Sequence, residues 1–146
     1  MPSLPLTGEY EPSPWAPVAE QVRLYESSGA REGGTLEGAP CVILTTKGRV
    51  TGKLRKSPLM RIEHDGVYAV VASMGGAPKH PVWYLNLIAN PDVTLQDGAT
   101  VLDLRARTAD AAEKQEWWPR LTAVWPAYDT YQAATDRDIP VVLLEP

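Results

Sequence analysis

A cluster of positive charge in the first half of the chain is the most direct pointer to chemistry in this sequence. Six of the 14 lysines and arginines lie between Lys47 and Arg61, and none of the 18 aspartates and glutamates does. The whole chain has a formal net charge of -4, so this positive charge is local. Because like charges this close repel one another and their sequence neighbours supply no anion, we expect an anionic ligand there. The cations available to bind it are Lys47, Arg49, Lys53, Arg55 and Lys56.

Two tyrosines near the carboxyl end form a second candidate site. Tyr128 and Tyr131 are three residues apart in a segment with helical spacing, which places their phenols on the same side of the helix. Each phenol offers a hydrogen-bond donor next to its apolar ring. Packing of both tyrosines in the core is the alternative interpretation.

Several other kinds of site are not supported by the sequence. It contains no GxGxxG, GxxxxGK[ST], GxSxG or HExxH motif. His64 and His80 have no cysteine partner and lie in separate turns, so we expect no metal site. The acidic pI of about 5.2 argues against general binding to nucleic acid, and we expect no nucleic-acid partner.

The expected location is the cytoplasm. Cys41 is the single cysteine and lies in an apolar run, which is typical of a buried thiol in a reducing compartment. No apolar stretch reaches a transmembrane length, and residues 1–14, with four prolines, lack the order of a signal peptide. Peripheral association with a membrane is left open, and so is the choice between a monomer and a homodimer.

The spacing of apolar residues predicts the elements that position these residues. A helix that ends near Ser28 is indicated by one apolar face, which either packs on the domain or touches a membrane or an apolar substrate; its residues are Trp15, Val18, Val22 and Tyr25. Three later helices are predicted over residues 81–90, from a cap at Thr108 or Asp110, and over 127–135, and Pro119 should kink or split the second of these. Six strands are predicted over residues 40–46, 54–62, 67–73, 92–96, 100–108 and 139–144.

Six short strands joined mostly by hairpins predict a mainly β fold with peripheral helices, in the form of a small antiparallel barrel. The first three strands should form a meander, and Pro58 should place its strand at an edge or a bulge because proline cannot donate to a ladder. We expect a single domain in which residues 1–39 form an arm and a helix and residues 40–146 form the barrel.

Three segments, in the same order, resemble the deazaflavin-dependent nitroreductase family: TTKGRVTGKLRKSPLM, ASMGGAPKHPVWYLNLIANP and WPAYDTYQAATDRDIPVVLLEP. The resemblance implies a split β-barrel of the FMN-binding type, with about six antiparallel strands, that binds coenzyme F420. It also implies a reductase that transfers a hydride from the reduced deazaflavin to a conjugated acceptor, such as a quinone or a nitroaromatic compound. The coenzyme's phosphodiester and glutamate tail would be the anion that the basic cluster binds, each charge-assisted bond contributing about 1.5 to 3 kcal/mol.

The resemblance also implies roles for individual residues. Tyr128, Tyr131 and Ser73 are expected to orient the acceptor or donate a proton to it. The positions implied to contact the coenzyme are Arg49, Val50, Thr51, Arg55, Lys56, Ser57, Pro58, Leu59, Met60, Val71, Ala72, Ser73, Met74, Lys79, Val82, Trp83, Tyr84, Leu85, Asn86 and Tyr128.

Some positions depart from the family's pattern. Val50 and Met74 stand where related enzymes often have lysine, and Met60 and Trp125 stand where the prodrug-activating members have tyrosine. Coenzyme binding is expected to survive these changes, while quinones become as reasonable an acceptor as nitroimidazoles. The alternatives are a split barrel that uses flavin mononucleotide and a carrier that binds the deazaflavin without turnover.

Overall fold

One antiparallel sheet organises the computed structural model, which describes residues 6–146. The strands are β1 (Thr35–Leu36), β2 (Ala39–Lys47), β3 (Leu54–Met60), β4 (Glu63–His64), β5 (Val67–Val71), β6 (Asp92–Asp97), β7 (Thr100–Thr108) and β8 (Val141–Glu145). In the order of the sheet, β3 pairs with β2, which is followed by β6, β7, β8, β5 and β4, while β1 pairs with the beginning of β2. The helices are α1 (Ala16–Ser28), α2 (Val82–Ala89), α3 (Ala111–Val124) and α4 (Ala127–Ala133).

Strands β2 and β8 are buried on both faces, which explains their unbroken apolar sequences. In β8, Val142 and Leu144 belong to the core inside the curled sheet, and Val141 and Leu143 pack on the other side. The side chains of β2 also alternate between the two faces of the sheet. Val42 and Leu44 lie in the core inside the curled sheet, and Cys41 and Ile43 pack against α1. A strand covered on both faces has no polar side, so its sequence shows a continuous apolar run rather than alternation.

The first helix packs on the sheet, as the helix interpretation from the sequence predicted. Tyr25 is fully buried, and its hydroxyl lies 2.9 Å from the carbonyl oxygen of Cys41 and accepts a hydrogen bond from the amide of Gly98. Trp15, by contrast, is 67% exposed. Among residues 6–146, no helix is long and apolar enough to cross a lipid bilayer.

Cys41 is buried beneath α1, as the sequence predicted. Its side chain is 3% exposed, and burial raises the pKa of the thiol to about 11. The thiol therefore stays protonated near neutral pH and is unreactive as a nucleophile.

Local signals explain where the helices begin and end. Gly29 ends α1 in the left-handed conformation that glycine adopts without strain. Asp110 caps α3 through a reciprocal pair of hydrogen bonds with Glu113. The sequence predicts that Pro119 kinks or splits this helix; α3 is not split, because it continues through Pro119 to Val124.

The barrel is open between β3 and the β4–β5 hairpin. β3 pairs with β2 over its whole length, but β5 pairs with β4 and β8 and not with β3. The predicted three-stranded meander is therefore wrong at its second step, where the chain leaves the β2–β3 ladder after Met60. Pro58 lies on the edge strand, as predicted, because β3 has β2 as its only full-length partner among the described residues.

The six longer strands confirm the predicted strands to within a few residues at their ends. Strands β1 and β4 were not predicted from the sequence. They have two residues each and pair across tight turns. Residues 9–11 of the N-terminal arm run beside the first residue of β3, where the amide of Leu54 donates to the carbonyl of Glu9 over 2.7 Å. The predicted arm also includes residues 1–5, which lie outside the described part of the chain.

Candidate cofactor-binding site

A cavity of about 300 Å³ lies in the opening of the barrel, and we call it the main cavity. One wall comes from β3, the opposite wall from the end of β5 and the turn that follows it, and the others from α2 and α4. This volume is at the lower end of the range for ligand-binding clefts in proteins. Its lining residues are Leu36, Pro58, Leu59, Met60, Val71, Ser73, Met74, Gly75, Pro81, Trp83, Trp125, Tyr128 and Tyr131.

Two hydroxyl groups in this mostly apolar cavity are available to a ligand. Tyr128 is 5% exposed and Ser73 is 8% exposed, and neither hydroxyl makes a hydrogen bond to another residue in the described part of the chain. Burial, with a contribution from Tyr131, raises the pKa of Tyr128 above its ordinary value. Tyr128 is therefore protonated at all physiological pH values and can act as a hydrogen-bond donor.

Tyr131 is held by a neighbouring tryptophan. The indole N–H of Trp125 donates to the Tyr131 hydroxyl over 3.3 Å, and the rings of Tyr128 and Tyr131 meet edge to face with their centres 6.2 Å apart. Because the Tyr131 oxygen accepts this bond, its own hydrogen remains free to be donated into the cavity.

A tight turn brings the cavity wall against α4, and we call residues Met74–Gly76 the glycine turn. All three residues have positive φ, at 46°, 64° and 83°. A Cβ atom on Gly76 would lie 2.7 Å from the carbonyl oxygen of Tyr131, whereas a Cβ on Gly75 would meet nothing within 4 Å. Gly76 is therefore needed both for its backbone conformation and for the close approach of α4.

A second cavity of about 290 Å³, which we call the side cavity, lies next to the main cavity. Trp83 lines both cavities, and β3 passes from the side cavity at Ser57 to the main cavity at Pro58. The residues that line the side cavity are Ser13, Val18, Arg55, Lys56, Ser57, Val82, Trp83 and Asn86.

The end of β2 and its connection to β3 carry cations beside the side cavity. We call residues 47–53 the basic turn. Gly48 closes it, because its amide donates to the carbonyl of Lys53 over 2.7 Å. Buried Asn86 ties it to α2 by accepting a hydrogen bond from the Arg49 amide at 3.2 Å and donating to the Thr46 hydroxyl. These hydrogen bonds hold the backbone of the turn, in which Arg49 is exposed and Lys47 and Lys53 are partly exposed.

Three of the six cations between Lys47 and Arg61 have an anionic partner within the chain, although their neighbours in sequence supply none, so a ligand is not needed to neutralise these three. Among residues 6–146, carboxylates distant in sequence pair with three of them, in the ion pairs Arg55–Glu11, Lys56–Glu26 and Arg61–Asp97. Lys47, Arg49 and Lys53 form no ion pair with any described carboxylate. The Arg55–Glu11 pair is 35% and 42% exposed, and exposed pairs contribute about 0 to 1 kcal/mol, so a ligand anion can readily compete for Arg55.

Most of the residues expected from the sequence to contact a coenzyme or an acceptor are brought together. Nine of them line the main cavity: Pro58, Leu59, Met60, Val71, Ser73, Met74, Trp83, Tyr128 and Tyr131. Arg55, Lys56, Ser57, Val82 and Asn86, together with Trp83, line the side cavity.

Seven of the expected residues line neither cavity. Arg49, Val50 and Thr51 are exposed in the basic turn, and Lys79 is exposed in the turn before α2. The others lie in or against the inner core, and they are Ala72, Tyr84 and Leu85.

Four residues of the main cavity were not among those expected. Gly75, Pro81 and Trp125 lie within the segments that carry the resemblance, so their neighbours in sequence were a sufficient signal. Leu36 lies in β1, which the sequence reading treated as a loop, and no signal pointed to it. No group of three or more His, Cys, Asp or Glu side chains in residues 6–146 is arranged to hold a metal ion.

An open antiparallel barrel with a cavity in its opening and cations at its rim defines the class of protein. This is the architecture of the FMN-binding split barrels, and the fold expected from the sequence is confirmed. Distant solved structures of 12% to 20% sequence identity share the fold with TM-scores of 0.51 to 0.58. At such low identity this likeness shows the fold alone.

Closer comparisons show the family. The family model described as F420H(2)-dependent quinone reductase matches residues 17–146, and the chain belongs to this family. An F420H(2)-dependent quinone reductase of Mycobacterium tuberculosis strain H37Rv is 33% identical over 130 residues, which cover 83% of this chain and 84% of that protein. The family assigned from the three sequence segments is thereby confirmed as one of F420-dependent reductases.

Two solved structures are similar to the chain over most of its length. A structure of an F420-H2 dependent reductase has 50% sequence identity and a TM-score of 0.69, and the match covers 73% of this chain and 94% of that one. A structure described as a domain-swapped dimer has 45% identity and a TM-score of 0.71, and the match covers 91% of this chain and 100% of that one.

The two neighbouring glycines of the turn allow a matched test of the cavity wall. Gly75→Ala should lower the free energy of unfolding by about 1 to 2 kcal/mol, because its φ is positive but its surroundings are open. Gly76→Ala should lower it further, because the added methyl group also meets the backbone of Tyr131. Urea unfolding of both variants measures the difference. Equal stability of the two variants would show that α4 does not rest on Gly76.

Proposed function

We propose that this protein is an F420-dependent quinone reductase, in which the flat ring of the coenzyme and the quinone meet in the main cavity. The observation that carries the proposal is the main cavity itself, which joins an apolar slot with free hydroxyl groups to a basic rim. Family membership supports the same reaction, since relatives bear the name F420H(2)-dependent quinone reductase.

The residues present fit such a coenzyme. Its planar ring needs apolar walls, and Met60, Val71 and Trp125 supply apolar side chains to the lining of the main cavity. Its anionic tail needs cations, and the side cavity leads from Trp83 past Arg55 and Lys56 toward the basic turn. Because Lys47, Arg49 and Lys53 have no carboxylate partner among the described residues, a phosphodiester and glutamate tail would supply the anion that these cations lack.

The chain contributes positioning and proton donation to the reaction. When bound, the reduced coenzyme supplies the hydride, so the protein has to orient both reactants and keep water out. Reduction of a quinone to a quinol takes up one hydride and one proton. Tyr128 is the proposed donor of a hydrogen bond or proton to the quinone oxygen, with Ser73 and Tyr131 as neighbouring donors. A donor aimed at the oxygen where negative charge develops stabilises the transition state.

The acceptor enters over the apolar part of the rim of the two cavities. Met74 is 57% exposed and Val82 is 68% exposed, on two sides of the cavities, and neither adds a charge. An uncharged conjugated ring, such as that of a quinone, suits this rim better than a charged acceptor does. Nitroaromatic compounds share the flat uncharged ring and are included in the proposal as secondary acceptors.

A cofactor titration followed by an activity assay tests the proposal. The protein is titrated with oxidised F420 and, separately, with flavin mononucleotide, and the fluorescence of each is recorded. The bound reduced coenzyme is then mixed with a short-chain quinone or a nitroaromatic compound, and the loss of reduced coenzyme is followed by absorbance. We expect F420 binding and faster turnover of the quinone. Preference for flavin mononucleotide, or F420 binding without turnover of either acceptor, would contradict the proposal.

The proposal includes a cytoplasmic location and either a monomeric or a homodimeric state. Peripheral contact of α1 with a membrane would have to use Trp15, because Val22 and Tyr25 are buried against the sheet and Trp15 is exposed. Light scattering of the purified protein distinguishes the monomer from the homodimer.

Removal of charge from the basic turn should weaken coenzyme binding. The double variant Arg49→Ala with Lys53→Ala loses two cations that have no internal partner, so the dissociation constant should rise at least tenfold at low salt. The salt dependence of binding should also become shallower. Fluorescence titration at several salt concentrations measures both effects.

A second double variant controls for net charge. Arg23→Ala with Arg105→Ala removes two exposed arginines, one on α1 and one on β7. Arg23 pairs with Glu20, and Arg105 pairs with Asp92. Its coenzyme affinity should stay within about twofold of the wild type. If both double variants weaken binding equally, the basic turn is not the tail-binding site.

Removal of one hydroxyl should separate turnover from coenzyme binding. Tyr128→Phe keeps the buried ring but removes the proposed donor, so kcat with a quinone should fall about tenfold or more while the KM for the reduced coenzyme changes little. Tyr68→Phe is the control, because its hydroxyl donates to Asp97 outside the cavities and its loss should leave kcat unchanged. A rise in the coenzyme KM with unchanged kcat would place Tyr128 on the coenzyme instead.

A further inference from the structure

Arg137 lies between α4 and β8, and its guanidinium group binds the chain at both ends of the glycine turn. It donates to the carbonyl oxygens of Ala72 at 2.9 Å, Ser73 at 2.8 Å and Ala77 at 3.0 Å. It also lies 2.9 Å from Nδ1 of His80. Arg137 forms no ion pair with a carboxylate in residues 6–146, so its five donors serve four neutral acceptors on one short segment.

The histidine has to be neutral for this arrangement to exist. A guanidinium group only donates, so Nδ1 of His80 accepts and the ring proton lies on Nε2. Burial and the charge of Arg137 lower the pKa of His80, which favours this neutral form. The ring of His80 also packs on that of Tyr84, with their centres 4.9 Å apart, so the acceptor is held in place.

The segment that Arg137 binds is strained. Met74 has a φ of 46°, and a side chain other than glycine in this left-handed region costs about 1 to 2 kcal/mol. Two hydrogen bonds within the turn, from the amides of Gly76 and Ala77 to the carbonyls of Ser73 and Met74, do not remove this strain. Strained backbone persists when the surrounding structure holds it.

We propose that Arg137 is a positioning residue for the main cavity, which it shapes by holding the strained glycine turn so that Ser73, Met74 and Gly75 face the ligand. The inference rests on the proposed function in one respect, namely that the ligand is the coenzyme with its acceptor. We call the four hydrogen bonds of Arg137 to Ala72, Ser73, Ala77 and His80 the clamp, and the clamp is a property of the free protein. Arg137 touches neither cavity and acts through the carbonyls that it binds.

Arg137→Lys is the primary test, because lysine keeps the charge but has one nitrogen in place of the three that bind the carbonyls of Ala72, Ser73 and Ala77. In the free protein, hydrogen exchange at the amides of Gly76 and Ala77 should become at least tenfold faster, as measured by NMR. The dissociation constant for oxidised F420 should rise about tenfold. The control is Arg105→Lys, which keeps an exposed charge paired with Asp92 and should change neither quantity.

Relief of the strain at Met74 should make the clamp less necessary. In a Met74→Gly background, Arg137→Lys should raise the dissociation constant less than threefold, because glycine adopts positive φ without strain. His80→Leu removes one of the four acceptors of Arg137 and leaves the three carbonyl bonds in place, so exchange at Gly76 and Ala77 should be faster than in the wild type but by less than tenfold, and unchanged exchange would count against the inference. This variant also tests the clamp if Arg137→Lys does not fold.

The outcomes separate the clamp from the function. Unchanged exchange at Gly76 and Ala77 in Arg137→Lys would overturn the inference, and so would an equal loss of affinity with and without Met74→Gly. If the wild-type protein binds no F420, the proposed function fails, while the exchange measurements on the free protein still judge the clamp.

Discussion

The opening between β3 and the β4–β5 hairpin is the constraint on which the rest of the structure depends. Had these two edges paired, the barrel would close and its interior would be filled by the core that Val42, Leu44 and Val70 already form. Instead, β3 carries Pro58, which cannot donate to a further strand, and the ladder with β2 ends at Met60. The two edges then form opposite walls of the main cavity, and α2 and α4 with the glycine turn complete it.

The charged side chains and the hydrogen-bond donors around this opening lie in different places. Cations that the fold neutralises internally, such as Lys56 with Glu26 and Arg61 with Asp97, lie where strands meet helices or turns. Three cations without a carboxylate partner among residues 6–146, Lys47, Arg49 and Lys53, lie in the basic turn, at the end of β3 away from Met60. Hydroxyl donors without partners, at Ser73 and Tyr128, lie on the opposite wall. In the proposed function, this arrangement separates the place for the anionic tail from the place for hydride and proton transfer.

Much of the fold could be predicted from the sequence because local patterns determine it. Continuous apolar runs predicted β2 and β8, the apolar spacing from Trp15 to Tyr25 predicted α1, and the spacing of Tyr128 and Tyr131 predicted that both phenols lie on one side of a helix, where both line the main cavity. What could not be predicted depends on contacts distant in the chain. The carboxylates of Glu11 and Asp97 lie 44 and 36 residues from Arg55 and Arg61, and no local pattern joins them. The same holds for Arg137, which contacts carbonyls 60 to 65 residues away, and for the missing pairing of β3 with β5.

The central claim is that the ring of the coenzyme binds in the main cavity and its tail beside the basic turn. NMR spectra of the backbone amides, recorded while oxidised F420 is added to the wild-type protein, test this claim most directly. We expect saturable shifts at Leu59, Met60, Ser73 and Gly75, together with shifts at Arg49 and Lys53. Shifts confined to the basic turn, or found on α3 and the outer face of β7 instead, would contradict it.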